Sequence, residues 1–111
     1  MRRAGPAGRT VVLLALSGWL AACAGSIPRP AADQAVRAAG RSPGVTLESL
    51  SRGRALYVAK CSGCHALEAP AAHPEAFWAE HVPAMADRAR LSGDEPALIL
   101  RYLEAVRPQS R

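Results

Sequence analysis

Cys61-Ser62-Gly63-Cys64-His65 is the stretch on which the reading of this chain turns. Two cysteines separated by two residues set both sulfurs along one edge of a porphyrin, where each can bond a vinyl-derived carbon. The histidine directly after the second cysteine then lies beneath the iron and offers an imidazole nitrogen as proximal ligand. Ser62 and Gly63 are small, so the turn between the sulfurs can lie close to the ring. The motif reads as the attachment site of one covalent haem c held by Cys61, Cys64 and His65.

A third cysteine, Cys23, is left over, and the N-terminus accounts for it. Arg2, Arg3 and Arg9 form a positive region ahead of a short apolar run, Val11 to Ala22. That run falls short of the roughly 20 residues a spanning helix needs and has the layout of a secretory signal. Its end, Leu20-Ala21-Ala22-Cys23, resembles the lipobox of bacterial lipoproteins. The resemblance implies cleavage after residue 22 and acylation of Cys23, with several acyl chains making a stable anchor where one would bind only marginally. An ordinary signal cut near Ala24, or an uncut anchor, is the competing reading. Ala24 and Gly25 carry no retention aspartate of the enterobacterial kind, which leans towards the outer membrane.

Removing residues 1–22 leaves 89 of the 111 residues and lowers the formal net charge from +5 to +2. The basic balance of the whole chain is therefore partly a targeting signal. No basic helix with interleaved aromatics is present, which speaks against nucleic acid as a partner. Residues 23–44 are rich in Ala, Pro, Gly and Arg, with Pro28, Pro30 and Pro43 and few large apolar side chains. Such a segment buries too little surface to offset its ordering entropy, so it reads as a lipidated flexible tether with a reach of roughly 25 Å, Ala31 to Ala39 being transiently helical at most.

Residues 45–107 form the expected domain. Thr46 is placed to cap a helix that runs through Leu47, Leu50, Leu56, Tyr57 and Val58 into the cysteine motif. His73-Pro74-Glu75 reads as a second helix start, with Phe77, Trp78, Val82, Met85 and Ala89 at helical spacing beyond it. Pro83 should kink or break that helix. Ser92 and Glu95 have capping-box spacing ahead of a strongly apolar run, Leu98 to Val106. No alternating strand pattern is present, so the fold class is all-α. Alanine supplies 24 residues and large core side chains are few, so a haem would have to supply part of the apolar interior. The chain without haem is expected to be poorly folded.

These residues resemble the small mono-haem cytochrome c family over about residues 45–106. Gly53 and Tyr57 stand eight and four residues before Cys61, where that family has a glycine and an aromatic on its first helix. Ile99-Leu100-Arg101-Tyr102-Leu103 resembles the family's last-helix motif. The resemblance implies that the two helices cross closely and that a carbonyl from a loop proline region, Pro70 being nearest, orients His65. It also implies a methionine as sixth ligand. Met85, 20 residues after His65, is the only thioether left after signal removal, and His81, one turn earlier, is its main rival.

The expected function is one-electron transfer between redox protein partners on the periplasmic side of a bacterial membrane. The chain would be a carrier and not an enzyme, free or as the haem subunit of a larger redox complex. Arg52, Arg54 and Lys60 offer either a solvated helix face or a steering surface for an anionic partner. A haem-based gas sensor or small peroxidase with an open sixth position is the alternative within haem proteins. A zinc site from Cys61, Cys64, His73 and His81 and a dithiol oxidoreductase are the alternatives without haem.

Overall fold

A computed structural model describes residues 27–109, and among them there are four α-helices and no strand. They are α1 (Ala32–Arg41), α2 (Leu47–Cys61), α3 (Glu75–Met85) and α4 (Glu95–Val106), with a short 3₁₀ turn at Pro70–Ala72. The all-α class follows directly. Residues 1–22, read as a signal segment, and Cys23 lie outside the described residues.

α2 starts where its cap says it should. Thr46 accepts from the Ser49 N–H at 3.1 Å, and the Ser49 hydroxyl accepts from the Thr46 N–H at 2.9 Å. Two donors that a helix start otherwise leaves unpaired are satisfied reciprocally. The helix carries Leu50, Gly53 and Tyr57 on its buried face and ends on Cys61. α4 begins at Glu95, later than a Ser92 cap would set it, and only half of that box forms: Glu95 accepts from the Ser92 N–H at 3.0 Å.

α2 and α4 cross at Gly53. A Cβ built there would collide with the Leu98 carbonyl oxygen and come within 2.9 Å of the Tyr102 Cβ, so only glycine lets the backbones meet. Tyr57, Trp78, Val82, Ile99, Tyr102, Leu103 and Val106 form the core beside this joint. Ile99, Tyr102 and Leu103 are fully buried.

Three expectations are corrected. Residues 23–44, read as a flexible tether, are folded from Ile27 onward. α1 docks on α2 and α4, burying Ala35 and Ala38 against Val45, Leu50 and Ala105. Ahead of it, Arg54 donates to the carbonyls of Ile27 and Pro28 at 3.0–3.2 Å, and the Tyr102 hydroxyl donates to the Pro28 carbonyl at 2.6 Å. Arg54 is therefore a clamp on the incoming chain and not part of a steering face. Pro83 does not break α3 either, which runs on to Met85. A proline this near the helix end forfeits one backbone bond, and Ala86 tightens the last turn by donating to the Pro83 carbonyl at 3.2 Å.

Candidate functional site

α2 and α3 both pack on α4 but not on each other. Between the end of α2 and the inner face of α3 lies a cleft of about 380 Å³. Trp78 reaches across to Tyr57 in a T-shaped pair, with ring centroids 6.1 Å apart and planes at 86°.

The cleft gathers every residue expected to hold the haem. Cys61 closes α2 and is half-buried, while Cys64 and His65 lie exposed in the turn that follows; all three line the cleft. From α3 come His81 and Met85, one turn apart, with Phe77, Trp78 and Val82. Ile99 of α4 and Leu91 complete the apolar wall. Sequence reasoning missed Glu68 and Arg88 as lining residues and set Lys60 only on a solvated or steering helix face; a lone charged side chain in a helix or turn has no spacing that marks it.

Each imidazole has a definite partner. His65 Nδ1 lies 2.8 Å from the Ala66 carbonyl oxygen, and His81 Nδ1 lies 2.9 Å from that of Phe77. The partner expected for His65 is corrected here: the Pro70 carbonyl accepts instead from Trp78 Nε1 at 2.9 Å. His73 is turned to Glu68, with Nε2 to Oε2 at 2.9 Å, and does not line the cleft. Tyr57 anchors the loop beneath by donating its hydroxyl to the Glu68 carbonyl at 2.7 Å. Burial, with a lesser contribution from Cys61, pushes the Tyr57 phenol up to about 12.

Cys61 and Cys64 are both free thiols. Burial, and then the neighbouring Cys64, raises the Cys61 thiol above its ordinary range. That is opposite to the depressed pKa by which a dithiol oxidoreductase activates its cysteine. Among the described residues no three of His, Cys, Asp and Glu gather as a metal-binding group, so the four residues named for a zinc site do not form one.

The cleft does suit a haem. Its volume falls within the roughly 300–1,000 Å³ of cofactor pockets, its walls are mainly apolar, and its donors include two thiols, two imidazoles and a thioether. Comparisons with protein-family models, curated proteins and solved structures gave no match to this chain. Among the described residues no helix is long and apolar enough to cross a membrane.

Proposed function

We propose that this chain is a membrane-anchored one-electron carrier built on a small cytochrome c-like domain. Cys61 and Cys64 would hold one haem c through thioethers, and His65 and Met85 would ligate its iron. The observation that carries this is the convergence of Cys61, Cys64, His65 and Met85 on one apolar cleft. The Gly53 crossing of α2 and α4, expected from the family resemblance, supports the same reading.

When bound, haem supplies a one-electron couple, and histidine–methionine ligation raises its potential relative to bis-histidine. The chain's own residues position and shield it. With Nδ1 bonded to the Ala66 carbonyl, His65 keeps its Nε2 lone pair free for a metal. Phe77, Trp78, Val82 and Ile99 present a wall that keeps water away. Acylated Cys23 would hold the domain at the periplasmic face of a bacterial membrane, where redox proteins are its partners.

The test is to mature the full chain in a periplasm and measure the mass of the peptide carrying residues 61–65, with oxidised and reduced absorption spectra. A haem adduct and a sulfur-to-iron charge-transfer band are the expected results. A colourless protein with an unmodified peptide defeats the proposal. Rapid carbon monoxide binding by the reduced protein would favour the gas sensor instead. A Cys23→Ser chain that remains membrane-bound and acylated would defeat the anchor.

A further inference from the structure

We propose that His81 is a reserve donor to the haem iron, standing behind Met85 and taking the sixth position when the thioether is lost. This rests on the haem reading above. A carbonyl oxygen can only accept a hydrogen bond, so the contact from His81 Nδ1 to the Phe77 carbonyl at 2.9 Å puts the proton on Nδ1. In the neutral ring the lone pair is then on Nε2. His65 is arranged in the same way on Ala66. Metal-ligating histidines ordinarily donate their second ring nitrogen to a carbonyl or carboxylate, which fixes tautomer and aim. His73 is wired differently, its Nε2 engaged by Glu68.

The ring of His81 is held as well as polarised. It stacks on Phe77 with centroids 3.7 Å apart and planes within 18°. Phe77 stacks in turn on His73 at 3.8 Å and meets Trp78 edge-on at 5.2 Å. His81 and Met85 are four residues apart, hence on one face of α3, and both line the cleft. Pro83 lies between them and cannot bond back to the Ala79 carbonyl. The thioether thus sits on the less tied end of the helix, 38% exposed, while the imidazole sits in a fixed stack, partly buried. The geometry gives α3 two distal donors, the softer one more easily displaced.

The experiment uses the haem-loaded full chain as wild type, Met85→Ala, Met85→Leu, His81→Ala and the Met85→Ala/His81→Ala pair. Covalent haem is measured by pyridine haemochrome, ferric spin state by electron paramagnetic resonance, and the charge-transfer band by absorption. Both Met85 variants should lose the band completely yet stay low-spin, with a lowered reduction potential. The pair should become high-spin, and His81→Ala alone should keep the band. Haem-loaded Met85 variants that are as high-spin as the pair overturn the proposal while leaving the haem reading intact. A wild type without the band that turns high-spin on His81→Ala also overturns it, since His81 would then be the resident ligand. Protein without covalent haem overturns both readings.

Discussion

Along α2 the chain meets two contrasting neighbours. At Gly53 it lies against α4 with no room for a methyl group. One helix end later, at Cys61, it faces α3 across an open cleft. Residues at the joint are fully buried, while Cys64, His65 and Met85 are exposed. Stability is therefore concentrated where the backbones touch, and the chemistry lies where they part. A glycine closes the first region; donors with free lone pairs furnish the second.

The sharpest way to break this contrast is Gly53→Ala. The added methyl meets backbone and a Cβ, neither of which can swing aside, so urea unfolding should show a loss of about 3 kcal/mol. An unchanged midpoint would mean that the joint is slack.

Alkali should act next most strongly, and on both sides of the contrast. Burial raises the Tyr102 phenol from 10.0 to about 12, as it does that of Tyr57. A group whose folded pKa is raised favours the fold below its unfolded value and loses that contribution as pH climbs through the folded one. Stability should hold steady through neutral pH and fall between pH 10 and about 12, followed by the phenolate absorbance during unfolding. Tyr102→Phe should reduce the fall.

Trp78 belongs to both regions, so Trp78→Phe sharpens the contrast by crossing it. It leaves the buried Pro70 carbonyl without its donor, costing about 1–3 kcal/mol, and it should also shift the haem spectrum. Thr46→Ala is the smallest and most local change. Loss of the cap should lower stability by about 1 kcal/mol and leave the spectrum of the haem-loaded protein unchanged. A spectral shift would show that the far end of α2 is coupled to the cleft.

Local signals made much of this legible. Thr46 announced the start of α2 because a hydroxyl three residues ahead of Ser49 closes a short-range ring of hydrogen bonds. The apolar run of α4 needed no context, and the cysteine motif named the cleft wall before any geometry was known. The docking of α1 was hidden, though its helical tendency was not, because its packing rests on the methyls of Ala35 and Ala38, and alanine-rich composition looks alike in a spacer and in a close-packed helix. The contacts that fix the entry segment join residues 26 to 74 positions apart, which no local pattern reveals. The role of His81 was hidden for another reason. Its spacing placed it one turn from Met85, but its tautomer depends on which carbonyl its ring meets.

The clamp on Ile27 and Pro28 has a mechanical consequence. Arg54 and Tyr102 belong to the two helices of the tightest joint, so a pull along the chain entering at residue 27 is carried straight into that joint. The load enters α2 and α4 first. On the proposed anchoring at Cys23, strain at a surface would reach the domain through its tightest joint.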